Sequence, residues 1–147
     1  MSTNIVRFKK LNSSAIVPKY GSTYAAGADL YALLDAPKVI KPGETAFIPT
    51  GLAMEIPKEL VGIICARSGL ACKQGLAPAN KIGVIDNDYR GEIMVALHNH
   101  SNQERTVSPG DRIAQIMFIP YITAAFVEVA ELDDTVRGSG GFGSTGI

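Results

Sequence analysis

The sequence predicts an all-β fold, a sandwich, jelly roll or distorted barrel, on three observations. Helical spacing of apolar residues is almost absent, short apolar runs recur between Gly, Pro, Asn and Asp, and one turn is spelled the same way twice. In Lys41-Pro42-Gly43-Glu44 and Ser108-Pro109-Gly110-Asp111, proline presets φ at the second position and glycine supplies a positive φ at the third, as a type II turn requires.

The expected strands, in order, are Ile5–Lys9, Ala28–Leu33, Lys38–Lys41, Thr45–Pro49, Leu52–Ile56, Val61–Ala66, Lys81–Ile85, Gly91–Asn99, Arg105–Val107, Arg112–Ile119 and Phe126–Ala130. Each is a short apolar or β-branched stretch closed by turn formers. The runs Leu60–Ala66 and Ile113–Ile119 are apolar on both faces, with Gln115 the polar exception in the second. A sheet with one wet face would alternate, so part of the second face is expected to be covered by another copy of the chain. One short helix is expected over Gly69–Gln74, capped by Ser68 and stopped by Gly75 in the left-handed conformation. Arg67 stands immediately before it, where the free N–H groups of a first turn favour an anion.

The 147 residues are expected to form one domain over residues 1–132, followed by a flexible arm over 133–147, because Arg137 to Gly146 is too rich in Gly and Ser to bury a core. With 46% hydrophobic and 19% charged residues the composition is globular, and equal numbers of acids and bases argue against a long nucleic acid or an anionic membrane as partner. Arg7, Lys9 and Lys10 are followed by no apolar run, so no secretion leader is read there. The charge-free stretch Ile113–Val127 is shorter than the roughly 20 residues a membrane helix needs and holds Pro120. A cytoplasmic protein is expected, with Cys65 and Cys72 reduced.

The chemistry-bearing stretch is Gly83-Val84-Ile85-Asp86-Asn87-Asp88-Tyr89-Arg90-Gly91-Glu92, which reads as a hairpin between a strand holding Ile82, Val84 and Ile85 and one holding Ile93, Val95 and Leu97. Taken alone it reads as turn chemistry, its charges solvating the tip; a catalytic Asp86 needs support from elsewhere in the chain. His98 and His100 lie two apart on one strand face and read either as solvated hairpin residues or as a metal pair that lacks an obvious third ligand. The tail spells G-x-G-x-x-G at Gly138, Gly140 and Gly143, but no strand precedes it and no helix can follow, so a dinucleotide fold is not implied; the same glycines suit a flap over a phosphorylated ligand. No G-x-x-x-x-G-K-[ST] loop and no nucleophile elbow occur.

Five stretches in order then stand out together. Ala26-Gly27-Ala28-Asp29-Leu30-Tyr31, Ala66-Arg67-Ser68-Gly69-Leu70-Ala71, the Asp86 stretch, Gly110-Asp111-Arg112-Ile113-Ala114-Gln115 and the Arg137 to Gly146 tail closely resemble the motifs of the trimeric dUTPase family. The departures are mild: Ala28 stands where many relatives have tyrosine and Ala66 where many have proline, and neither side chain carries a reacting group.

The resemblance implies a distorted jelly-roll β-barrel that forms a homotrimer. Each active site would take the third motif from one subunit, the first, second and fourth from a neighbour, and the tail from the third. The implied reaction is hydrolysis of dUTP to dUMP and pyrophosphate, which keeps uracil out of DNA and supplies dUMP for thymidylate synthesis. Asp86 is implied as general base for the water attacking the α-phosphorus. Arg67, Ser68, Gly69 and Gln115 are implied at the phosphate chain, and the remaining demand of phosphoryl transfer is positioning and charge stabilisation. Asn80 and the backbone of Gly83, Val84 and Ile85 would read uracil, Tyr89 would stack under the deoxyribose, and Arg137, Phe142 and Gly143 would close over the ligand. Mg²⁺ is implied as the metal, held mainly by substrate phosphates and water, with Asp29 acting indirectly or as a turn or strand-edge acid. The nearest rival is a dCTP deaminase, which shares the fold and triphosphate site, and the tail discriminates against it; a nucleotide-binding regulator or partner-binding module that kept the fold without the catalysis is the other alternative.

Overall fold

The computed structural model describes residues 5–141. Its strands are β1 (Arg7–Lys10), β2 (Lys19–Tyr20), β3 (Ala28–Tyr31), β4 (Lys38–Ile40), β5 (Thr45–Pro49), β6 (Leu52–Glu55), β7 (Leu60–Cys65), β8 (Leu76–Pro78), β9 (Gly83–Ile85), β10 (Met94–Asn99), β11 (Arg105–Val107) and β12 (Arg112–Pro120), with the helix α1 (Ser68–Gln74) between β7 and β8. The protein is mostly β with one short helix, as the period and punctuation of the sequence require. Every strand pair among the described residues is antiparallel.

Two sheets organise the chain. A five-stranded sheet runs β2-β3-β12-β7-β9 and a three-stranded sheet runs β5-β10-β8, with the pairs β1-β6 and β11-β4 beside them. Between them lies a core of fully buried Leu30, Ile40, Ile48, Leu52, Leu76, Ile93, Leu97, Ile113 and Ile116. Asn99 is buried among these because each of its side-chain groups is answered: its Nδ2 donates to the carbonyls of Ile40 (2.9 Å) and Gln103 (2.7 Å), and its Oδ1 accepts from the backbone and hydroxyl of Ser101.

Both Pro-Gly turns form as spelled. Gly43 and Gly110 sit at φ of 75° and 80°, and the N–H groups of Glu44 and Asp111 return to the carbonyls of Lys41 and Ser108. In each turn the closing acid also accepts from the N–H of the first residue, Glu44 from Lys41 and Asp111 from Ser108.

Three expectations are corrected. β9 and β10 do not pair with each other: β9 adds to β7 and β10 lies between β5 and β8, so the Asp86 stretch is a crossover between two sheets rather than a hairpin. The crossover is pinned at its far end, where Ile93 donates to the carbonyl of Leu52 and accepts from Thr50, so the chain has changed sheets before β10 begins. Phe126–Ala130 forms no strand; Phe126 is fully exposed and the segment finds no ladder partner among the described residues. Ser68 does not cap the helix: Arg67 takes the cap position in extended conformation without a side-chain cap, while Gly75 closes the helix at φ 71° as expected. Two strands went unread: Lys19–Tyr20 is too short to give a period, and Leu76–Pro78 ends on a proline that argues against a strand.

Candidate functional site

The residues singled out in the sequence fall into two regions on opposite flanks of β7. On one flank, β12 pairs with β7 and β3 pairs with β12 in a register that puts Cys65, Gln115 and Asp29 in one row across three strands. Arg67, two residues beyond that row, turns back to it. Its Nε donates to Asp29 Oδ1 at 2.7 Å and its Nη1 to the carbonyl of Arg112 at 3.4 Å. Arg112 closes on the other carboxylate oxygen, Nη1 to Oδ2 at 3.3 Å, so one largely buried acid holds two guanidinium groups. Gln115 Nε2 donates to the carbonyl of Ala66 at 2.9 Å. Its side chain lies where a Cβ on Gly27 would come within 2.5 Å of its Oε1, so glycine is needed there.

Arg67 and Arg112 are gathered here by Asp29, and with Asp111 beside them the formal charges of the corner balance, so what it offers is oriented guanidinium N–H groups. Ser68 and Gly69 extend it as the exposed first turn of α1, and a mainly polar cavity of about 250 Å³ opens beside it, lined by Arg67, Gln74, Thr106, Asp111 and Arg112. Arg112 is the member that sequence reasoning quoted but gave no role; the signal was its place in Gly110 to Gln115, opposite Tyr31 and next to the bulge in the β3–β12 ladder.

On the other flank, β9 and the crossover line a cavity of about 330 Å³ that gathers Asn80, Gly83, Val84, Ile85, Asp86 and Tyr89 with Phe47, Glu92 and Met94. Gly83 lets β9 lie close: a Cβ there would stand 3.1 Å from Ile64 Cβ and 3.5 Å from Asn80 Nδ2. Asn80 is placed by a tight turn in which Lys81 adopts a φ of 62° and donates to the carbonyl of Pro78. Tyr89 folds back over Gly91, where a Cβ would lie 2.3 Å from its hydroxyl, and that hydroxyl donates to the carbonyl of Glu92 at 3.0 Å. Asp86 is exposed, and among the described residues nothing pairs with its carboxylate.

The two regions do not meet. Ile85 is paired with Gly62, three residues short of the Cys65 row, and β9 is three strands from β3. At strand dimensions that places Ile85 about 17 Å from Asp29. Within one chain, Asp86 and the guanidinium of Arg67 therefore serve different places.

Arg137 is exposed, its Nε donating to the carbonyl of Gly140 at 2.8 Å in a local turn. Phe142 and Gly143 lie outside the described residues. His98 accepts or donates with the Thr45 hydroxyl at 2.8 Å and meets the His100 ring edge-on, with centroids 4.4 Å apart. Desolvation first, then the charges of His98 and Lys81, lower the pKa of His100. Among the described residues no cluster of three or more His, Cys, Asp or Glu side chains could hold a metal, and no helix is long and apolar enough to cross a membrane.

Comparison with known proteins agrees on one family. The dUTPase family model matches residues 13–146. The chain is 49% identical over 143 residues to the deoxyuridine 5'-triphosphate nucleotidohydrolase of Desulfitobacterium hafniense (strain DSM 10664 / DCB-2), covering 97% of this chain and 95% of that one. It is 47% identical to the protein of the same name from Syntrophotalea carbinolica, over the full length of both. Among solved structures, a mutant dUTPase of Staphylococcus bacteriophage 80alpha with dUpNHpp superposes at a TM-score of 0.84, with 26% identity over 99% of this chain and all of that one.

Proposed function

This chain belongs to the dUTPase family, and on that footing we propose that it is a dUTP diphosphatase whose active site is completed between copies of the chain. The reaction converts dUTP and water to dUMP and pyrophosphate. One observation carries the second half of this reading. The acid-bearing pocket and the arginine-lined corner are each built, yet they stand about 17 Å apart in one chain, too far for both to act on one α-phosphate. A symmetric assembly that sets the pocket of one copy against the corner of the next resolves this, and a homotrimer of jelly-roll subunits does so with three equivalent sites. The exposed apolar residues Val84, Ile119, Ile122 and Phe126 suit burial in such an assembly.

In the pocket, the uracil edge meets the backbone N–H and C=O groups of Gly83, Val84 and Ile85 and the amide of Asn80. Cytosine would set its amino group against a donor and leave buried polar groups unpaired. Tyr89 packs beneath the deoxyribose, and its ring, held down by the Glu92 carbonyl, leaves no space for a 2′-hydroxyl. Asp86 accepts a proton from water as the water oxygen bonds to the α-phosphorus; the bond from that phosphorus to the bridging oxygen breaks and pyrophosphate departs. Its unpaired carboxylate suits this role, since no neighbouring cation must first be displaced.

At the neighbouring corner, Arg67, the N–H groups of Ser68 and Gly69, and Gln115 bind the phosphate chain. Both oxygens of Asp29 are committed to guanidinium groups, which favours an orienting role for this acid over metal ligation. The residues present fit a Mg²⁺ that arrives on the nucleotide, held by phosphate oxygens and water, rather than one caged by the protein. The arm over residues 133–147 then closes, with Arg137 at the γ-phosphate and Phe142 and Gly143 over the base. The place of work is the cytoplasm, where the reaction keeps uracil out of DNA and supplies dUMP.

The test is to offer dUTP, dCTP, dTTP and UTP with Mg²⁺ and identify the products. dUMP and pyrophosphate from dUTP alone are expected; ammonia from dCTP would sink the assignment.

A further inference from the structure

We infer that Asn87, anchored on Tyr121, is a positioning residue that holds Asp86 at the angle its proton transfer needs. This inference rests on the reading of Asp86 as the general base.

Asp86 itself is exposed and unpaired among the described residues, so nothing on its own side chain fixes it. The residue after it is fixed twice: Asn87 Nδ2 donates to Tyr121 Oη at 2.6 Å and to the carbonyl of Lys58 at 3.0 Å. Those two partners stand on the frame of the large sheet. Lys58 lies two residues before β7, Tyr121 is the first residue after β12, and the two strands end paired there as Leu60 against Pro120. A single amide therefore spans the closed end of the β7–β12 ladder and clamps the start of the crossover to it. The rest of the crossover is braced mainly onto itself. Arg90 Nη1 donates to the carbonyls of Asn87 at 2.7 Å and Tyr89 at 3.0 Å, and Tyr89 reaches the carbonyl of Glu92. At the far end, Glu92 Oε1 accepts from the N–H of Gly51 at 2.8 Å.

Among the described residues the loop thus has two external side-chain ties, Glu92 near its end and Asn87 beside the acid. Losing the first would loosen the Tyr89 side. Losing the second loosens the peptide that carries Asp86 while leaving in place the pocket walls on β5, β9 and β10 and the Tyr89 and Glu92 walls, which have their own ties. A defect in Asn87 should therefore appear in the chemical step more than in nucleotide binding, because a small misplacement of a catalytic group is costly to rate and cheap to ground-state affinity. Tyr121 also begins the segment that leads to the arm, so the clamp joins the position of Asp86 to the root of that segment.

Asn87→Ala and the near-isosteric Tyr121→Phe separate this from a folding effect. Steady-state kinetics with dUTP and thermal melts would be recorded for the unaltered protein, both single variants, the double variant and Asp86→Asn. Asn87→Ala is expected to lower kcat about 10- to 100-fold with KM changed less than about threefold. Tyr121→Phe should lower kcat in the same direction by about 3- to 10-fold, since the Lys58 bond survives, and the double variant should be no worse than Asn87→Ala because both remove one shared hydrogen bond. Unchanged kcat in both single variants, additive losses in the double variant, or losses that track the fall in melting temperature would overturn the inference. If Asp86→Asn is inactive while Asn87→Ala is not impaired, only the positioning role fails. If the unaltered protein does not hydrolyse dUTP, the reading beneath it fails.

Discussion

The two flanks of β7 solve opposite problems. The Asp29 corner is made of charged side chains that satisfy one another: two guanidinium groups share one carboxylate, and Gln115 is tied to a backbone carbonyl. The Asp86 pocket is made of backbone, an aromatic ring and an acid with no partner among the described residues. A cluster of cations must be held apart and oriented before an anion arrives, and Asp29 does so at the cost of part of the positive charge. In the proposed function Asp86 is a general base, best left free of cations, and the base is read by sheet backbone, which is rigid. The two flanks lie apart within one chain, and under the proposed function each supplies half of a site.

The largest effects should come from removing one half at a time. Asp86→Asn is expected to lower kcat for dUTP about 10²- to 10⁴-fold while nucleotide binding, measured by calorimetry, is largely kept. Arg67→Ala should also be nearly inactive, but through lost phosphate binding. Mixing the two inactive variants after unfolding and refolding together is the sharpest test of the comparison. Mixed assemblies would pair an intact pocket with an intact corner at some sites, so a fraction of the activity should return; no recovery would place both halves of a site in one chain.

Truncation after Thr135 comes next. It removes Arg137 and every residue beyond it, and an assembled protein with activity reduced about 10²-fold is expected, since closure completes the site without building either half. Normal hydrolysis by the truncated form would end the arm's role. The smallest effects should come from two glycines, one on each flank. Gly27→Ala pushes Gln115 off the Ala66 carbonyl and Gly91→Ala pushes Tyr89 off its resting place. Each is expected to change kcat/KM about tenfold. Gly27→Ala should act equally on any nucleoside triphosphate tested, whereas Gly91→Ala should narrow the preference for dUTP over UTP. Identical profiles for the two would mean that the flanks do not divide phosphate from sugar recognition.

The turns were legible because their requirement is local: Pro42-Gly43 and Pro109-Gly110 carry their own φ preferences, and both formed. The apolar runs were legible because burial leaves a period in the chain. The Asp86 stretch stood out by its residue types and was misread as architecture. Its flanking strands look like the arms of a hairpin, and no local signal says that Ile93 bonds to Leu52 or that Asn87 reaches Tyr121. Arg112 went without a role for the same reason, since its partner Asp29 lies 83 residues away.

The mostly-β class of fold, the two Pro-Gly turns and the helix stop at Gly75 were all contained in the sequence, because each is a property of a few neighbouring side chains. How the residues proposed for the site divide belongs to the tertiary structure alone. Strand register, set by burial and hydrogen bonding between distant segments, put Asp29, Gln115 and Arg67 on one flank and Asp86, Asn80 and Tyr89 on the other. The division is a fact of pairing between strands, and a linear chain carries no local trace of it.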